Sequence, residues 1–219
     1  MQVLITGANR GIGATLAQQA LIAGHQVIGT ARTLDNLSAS IEGLALDVTN
    51  PESLAAFAKA LEGRQIDILV CNAGVYPDKG LSAPAEYSAD IFAQAFAVNV
   101  TGVWSTLQSA LPNLLAAKGK IAILSSIMAS SQRAPGGAYA YRASKAAVTN
   151  LARNLATDLK PRGVAVGSYH PGWVRTDMGG ANADISLEES APSLWARIEQ
   201  LSLETSGVFE GYDGTPMQF

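Results

Sequence analysis

Six short apolar runs recur along most of the chain, and none of them alternates polar with apolar residues. They are "QVLIT" (2–6), "QVIGTA" (26–31), "LALDV" (44–48), "IDILVC" (66–71), "KIAILSS" (120–126) and "VAVGSY" (164–169). A strand with one wet face alternates, whereas a strand covered on both faces does not. Helical patterns lie between the runs, at about 12–23, 52–62, 90–117 and 140–159. Asn50 and Pro51 suit the N-cap and first position of the second helix. Strand–helix alternation with two-sided burial leaves few solutions. The fold class expected is α/β, a doubly wound parallel sheet with right-handed crossovers and helices on both faces.

After Tyr169 the pattern changes. The stretch "HPGWVRTDMGGANADISLEES" (170–190) is rich in turn formers and too long for an ordinary connection, so residues from about 170 to 202 are read as a substrate loop or lid region. Within it the segment from Thr176 to about Ser190 has small residues and little apolar surface, and it is expected to be mobile. Ser186 and Glu189 have capping-box spacing and start a helix running to about 202, with Pro192 blurring the boundary; a last short strand falls near 207–209.

Composition closes off other classes. The 219 residues are 48% hydrophobic with 21 glycines, too apolar for disorder and too glycine-punctuated for a helical bundle. No repeat or linker appears, so residues 1–219 are expected to form a single domain. A formal charge of −3 without a long basic run argues against a nucleic-acid partner. One cysteine, Cys71, permits no disulfide framework and fits a reducing compartment. No apolar run reaches the roughly 18 residues of a membrane span, and the N-terminus lacks a basic n-region and cleavage site. A soluble cytoplasmic protein is expected. His25 and His170 have no ligand spacing around them, so no metal is expected. A serine hydrolase is excluded, since there is no GxSxG elbow and no well-placed histidine base.

The first apolar run leads straight into "TGANRGIG" (6–13) and then a helix. Gly7, Gly11 and Gly13 allow a sharp turn that approaches a pyrophosphate, and the helix N-terminus offers free N–H groups and a positive dipole end. The whole turn, with Asn9, Arg10 and Ile12, is read as cofactor-binding. The spacing is GxxxGxG rather than GxGxxG, so the position after the strand carries the reading. At the end of the second run, an acid would take a ribose 2′-hydroxyl and an arginine a 2′-phosphate. Here "GTARTLD" places Arg32 at that point, with Arg10 in the turn as a second cation and Asp35 as a rival acid. NADP is favoured over NAD.

"YAYRASKAAV" (139–148) offers two tyrosines and one lysine. On a helix, residues four apart lie about 40° apart on one face, which makes Tyr141 and Lys145 neighbours and leaves Tyr139 well round the helix. In a cleft, such a lysine would lower a phenol's pKa from about 10.

These segments together resemble the short-chain dehydrogenases/reductases over essentially the whole length. The match comprises "TGANRGIG", "LDV" (46–48), "CNAG" (71–74), Asn99 in "FAVNVTG", "LSS" (124–126), "YRASK" (141–145) and "HPGWVRT" (170–176), in order. "HPGWVRTDMGG" and the terminal "YDGTP" are similar further to the branch containing C-factor and Sniffer-type carbonyl reductases. The resemblance implies a Rossmann-like fold and an NADP-dependent carbonyl reductase or alcohol dehydrogenase. Its catalytic residues would be Asn99, Ser126, Tyr141 and Lys145. Tyr141 would protonate the substrate carbonyl oxygen as hydride arrives, or take the hydroxyl proton in reverse. Lys145 would stabilise the phenolate and bind the nicotinamide ribose. Ser126 would hold the substrate oxygen, and Asn99, in a distorted part of the long helix, would anchor a water on the proton path. Ser126 lies slightly farther from its tyrosine than the family usually has it, and Ser125, Ser130 and Ser131 are rivals. Ser126 is preferred because it ends its strand.

For the cofactor, the resemblance implies Asp47 and Val48 against the adenine, Asn72, Ala73 and Gly74 against the ribose, and Pro171, Gly172, Val174 and Thr176 around the nicotinamide. It also implies a small carbonyl or alcohol substrate and a homodimer or homotetramer formed through the long helices. Two alternatives stand beside it. One is a cofactor-binding regulatory or signalling protein with vestigial chemistry. The other is a nucleotide-sugar epimerase or dehydratase, whose relatives carry a larger C-terminal substrate region.

Overall fold

The structure, a computed structural model, describes residues 1–81 and 83–219. In chain order it contains β1 (Gln2–Thr6), α1 (Gly11–Ile22), β2 (Gln26–Ala31), β3 (Glu42–Ala45), α2 (Pro51–Ala60) and β4 (Ile68–Cys71). There follow α3 (Ala89–Phe96), α4 (Val103–Ala117), β5 (Lys120–Leu124), α5 (Tyr139–Leu159), β6 (Ala165–His170), α6 (Leu187–Gln200) and β7 (Phe209–Gly211). The strands form one parallel sheet in the order β3-β2-β1-β4-β5-β6-β7. This is the doubly wound sheet expected from the apolar runs.

The missing alternation in those runs has a direct cause. Along β1, Val3 and Ile5 pack toward Leu16 and Ala20 of α1 and Leu194, Trp195 and Ile198 of α6. Leu4, on the opposite pleat, packs among Phe57 of α2, Leu107 and Leu114 of α4 and Val148 of α5. Both faces are dry, so polar residues have no place. Each fully buried side chain of this size contributes about 1.5–3 kcal/mol.

Local sequence set several boundaries. The Asn50 side chain accepts the Ser53 N–H at 2.8 Å, and Ser186 accepts the Glu189 N–H at 3.2 Å, so both expected caps form. Pro192 and Pro112 lie inside α6 and α4, whose buried apolar faces hold them helical through the missing backbone bond. One expectation needs correction. The third strand is Glu42–Ala45 rather than 44–48, because its pairing with Ile28–Ala31 ends at Ala45. Beyond it Asp47 folds the chain into a turn, its Oδ1 accepting from the Thr49 N–H and hydroxyl at 2.9 and 2.7 Å. The helix expected over 90–117 carries a π-helical stretch, Ala97–Gly102, the distortion around Asn99 that the family resemblance implied. There Asn99 turns fully inward and Gly102 passes so close to Val48 that a Cβ would stand 2.6 Å from its Cγ2.

The strand order reverses between β1 and β4. Connections leave these neighbours in opposite directions, opening a crevice at their C-terminal ends, where ligands bind in sheets of this kind.

Candidate active site

A groove of about 980 Å³ occupies that crevice. It is lined by Gly7 and Asn9–Gly13, by Arg32 beyond β2, by Asp47 and Val48 beyond β3, by Asn72, Ala73 and Gly74 beyond β4, and by Thr176. Pro171, Gly172 and Val174 are not on its wall. They form the base of the loop leaving β6, where Val174 is buried and the Pro171 carbonyl accepts from Ser190 Oγ at 2.5 Å.

The turn is tight for a physical reason. A Cβ on Gly13 would stand 2.2 Å from the Gly7 carbonyl oxygen and 2.4 Å from Asn72 Nδ2, so only glycine fits. Asn72 Nδ2 donates to the carbonyls of Thr6 and Gly7 at 2.7 and 3.0 Å. Thr6 Oγ1 in turn accepts the Asn72 and Ala73 N–H groups, both at 3.0 Å. These bonds stitch the ends of β1 and β4 together beneath the groove. The residues therefore fit a dinucleotide, with a cradle that backbone alone fills and a helix N-terminus behind it.

Charge at the adenine end is uneven. Arg32 lines the groove and Asp35 does not. The Asp47 carboxyl is held below the usual range, first by its Thr49 bonds and only lastly by Arg32, so its charge serves the turn. Arg10 is paired with Asp177 at 2.7 Å, a contact between residues far apart in the chain that no spacing reveals. Both side chains are well exposed, so the pair is worth at most about 1 kcal/mol and yields readily to an incoming phosphate.

Past Gly74 lies the second half of the site. A Cβ on Gly74 would sit 3.2 Å from Asn99 Oδ1 and 3.6 Å from Lys145 Nζ. Asn99 is wholly buried, its Oδ1 accepting from the Val75 N–H and its Nδ2 donating to the Val75 carbonyl, each at 2.9 Å, and to Ser144 Oγ at 3.0 Å. Ser144 Oγ then donates to the Tyr141 carbonyl at 2.8 Å, tying the π-helical stretch to α5 beside both Tyr141 and Lys145. Lys145 Nζ donates to the Leu124 carbonyl at 2.8 Å and lies 5.7 Å from the centre of the Tyr141 ring. Burial lowers Lys145 to about 8.

Tyr141 is buried, with the Ser126 hydroxyl placed to favour its ionised form. The lysine was expected to depress the phenol. Burial instead outweighs every other influence and pushes Tyr141 above the ordinary tyrosine value, against Ser126, which lowers it. Tyr139 is 38% exposed and leans on Tyr87, away from this cluster. Among the rival serines, Ser125 bonds Thr149 and Ser131 donates to the Phe219 carbonyl at 2.7 Å, so both point elsewhere.

Three neighbours were not among the expected catalytic or cofactor-binding residues. The ring of Tyr76 stacks on that of Tyr141 at 4.2 Å, and Asp78 is buried against the first turn of α5. Ser144 is the third. Each meets its partner only through the fold. His170 is lowered to about 4 by burial and is neutral at neutral pH, while burial raises Cys71 to about 12. Among the described residues no cluster of His, Cys, Asp or Glu has the makings of a metal site. No described helix is long and apolar enough to cross a membrane.

The loop after β6 is braced rather than open. Val174 bridges Ile185, the Arg175 N–H donates to the Ile185 carbonyl at 2.9 Å, and Trp173 Nε1 donates to the Gly179 carbonyl at 3.0 Å. Thr176 accepts the Gly179 N–H at 3.0 Å and turns its methyl toward Gly11.

Known proteins share this architecture and these segments. The family model for short chain dehydrogenase matches residues 1–185. C-signal of Myxococcus xanthus is 38% identical over 164 residues, covering 74% of this chain and 98% of its own. The solved structure of carbonyl reductase Sniffer of D. melanogaster superposes with a TM-score of 0.91 at 28% identity, covering 100% and 99% of the two chains. NADPH-bound carbonyl reductase from chicken fatty liver gives 0.87 at 27% identity, covering 100% and 98%. With a glycine-turn groove, the Ser126–Tyr141–Lys145 cluster beside it and a family match over most of its length, the chain belongs to the short-chain dehydrogenases, oxidoreductases that bind a nicotinamide cofactor.

Proposed function

We propose that the protein is an NADP-dependent carbonyl reductase, reducing an aldehyde or ketone to an alcohol. The observation that carries this reading is the buried cluster of Ser126, Tyr141, Lys145 and Asn99, of which Asn99 and Lys145 stand just behind Gly74 on the groove wall. When bound, the cofactor supplies the hydride. Ser126 Oγ holds the substrate oxygen. Tyr141 Oη gives it a proton, and burial keeps the phenol in the protonated form that an acid needs. The Lys145 ammonium steadies the phenolate left behind, and the Asn99 region anchors a water that returns the proton. The likeness to C-signal favours one second reading, a signalling protein with vestigial chemistry.

A screen of NADPH and NADH oxidation over a panel of aldehydes and ketones separates the two. Turnover with NADPH is expected; its absence across the panel overturns the enzyme reading. The Arg32 guanidinium on the groove wall and the likeness to an NADPH-bound reductase support the cofactor choice. Arg32→Asp should raise the NADPH dissociation constant at least tenfold, about 1.4 kcal/mol, and change NADH binding far less. Equal losses for both would argue against a 2′-phosphate site.

The loop over Thr176–Ser190 is proposed to tighten over bound cofactor, since Thr176, Asp177 and Met178 line the groove. Amide exchange should slow at residues 177–183 when NADP(H) binds. Within that range Gly179, Gly180 and Ala183, whose amides are already bonded, should change less than 177, 178, 181 and 182, as should Arg175 before it. Exchange untouched by cofactor across the loop would sink this.

A further inference from the structure

The helix that carries Tyr141 begins without a cap of its own. Its N-cap position is Ala138, which has no side-chain acceptor and sits in the left-handed region at φ 49°, a conformation costing an alanine about 1–2 kcal/mol. The N–H groups that a cap would serve belong to Ala140 and Tyr141. Both are taken by Asp78, more than sixty residues earlier in the loop leaving β4. Its Oδ2 accepts from Ala140 at 2.8 Å, and the Tyr141 N–H lies 3.2 Å from Oδ1 and 3.3 Å from Oδ2. The carboxylate is 1% exposed. The same loop holds Ala138 itself, whose N–H donates to Tyr87 Oη at 2.8 Å, while Tyr87 donates to the Leu81 carbonyl at 3.0 Å. Two residues before Asp78, Tyr76 stacks on the Tyr141 ring. Backbone and ring of the tyrosine are thus gripped from one segment.

We propose that Asp78 is a positioning residue for Tyr141, its carboxylate capping the first turn of α5 from the β4 loop and so fixing where the phenol hydroxyl points. A carboxylate suits this place because it answers two amide donors at once and complements the positive end of a 21-residue helix. It also sits close enough to disfavour the phenolate, as does Tyr76. Ser126 acts the other way, Lys145 lies on the same helix, and Arg142 faces Tyr76.

The proposal rests on the carbonyl reductase reading, and the test keeps the two apart. Kinetics in both directions are compared for wild type, Asp78→Asn and Asp78→Ala, with amide exchange of α5 as the folding control. Asp78→Ala should lower kcat at least tenfold, leave the KM for NADPH within twofold, and free the Ala140 and Tyr141 amides while 148–159 stay protected. Asp78→Asn keeps one acceptor and removes the charge. It should retain more activity, and its alcohol-oxidation rate should rise at lower pH than in wild type, because a phenol without the nearby anion ionises earlier. Wild-type kcat and pH profile in both variants would overturn the role of Asp78. So would loss of cofactor binding together with protection along all of α5, which marks a merely structural part. Failure of the wild type itself to turn over any substrate would instead remove the enzyme reading, and the proposal with it.

Discussion

Tyr141→Phe is expected to lower kcat by about 10²–10⁴-fold, the range that a well-placed general acid supplies, while NADPH still binds. The ring stays, so its stacking on Tyr76 and its place in the wall are kept; only the hydroxyl is lost. Tyr139→Phe should be much milder, because that side chain leans on Tyr87 at the surface. Steady-state kinetics with NADPH and an active aldehyde, together with cofactor binding by fluorescence, check both. An active Tyr141→Phe beside a dead Tyr139→Phe would reverse the assignment.

Gly13→Ala is expected to damage binding and stability together. The new methyl would stand 2.2 Å from the Gly7 carbonyl oxygen, a backbone atom, and 2.4 Å from an Asn72 nitrogen already bonded to two carbonyls. Nothing there is the free end of a flexible chain. Overpacking of this kind costs about 1–3 kcal/mol, and near 220 residues each kilocalorie moves Tm by about 2–4 °C. The shift also pulls the turn from its cradle shape, so the cofactor dissociation constant should rise at least tenfold. Gly24→Ala is the control. Its φ is +80° but no atom lies within 4 Å of the new methyl, so backbone strain appears alone and cofactor binding is kept. Calorimetry and a cofactor titration of both variants decide it. A Gly13→Ala protein that binds like wild type would mean that the turn relaxes freely.

The sheet was legible because its cause is local and repeated. Val3, Leu4 and Ile5 could be hydrophobic in succession only if both faces of their strand were to be covered, and α1 and α4 cover them. Tyr141 beside Lys145 was equally legible, since helical spacing alone puts two residues one turn apart together. Periodicity alone did not show the break in the long helix, which only the family resemblance implied; its cause lies in the interior. Asn99 leaves the α-helical path to reach Val75, a partner that helix periodicity does not see. The upward shift of the Tyr141 phenol was hidden in the same way, because a neighbouring lysine can be read from spacing while the extent of burial cannot.

By itself the sequence determined the strand runs, the glycine turn, the two helix caps at Asn50 and Ser186, and the pairing of Tyr141 with Lys145. All are contacts within a few residues or periodicities of one element. Only the tertiary structure decided that Asp78 would cap α5, that Asn72 would lock the glycine turn, that Arg10 would meet Asp177, and that Tyr76 would cover Tyr141. Those partners stand on different strand-end loops, and it is the order of strands in the sheet that brings the loops to one crevice.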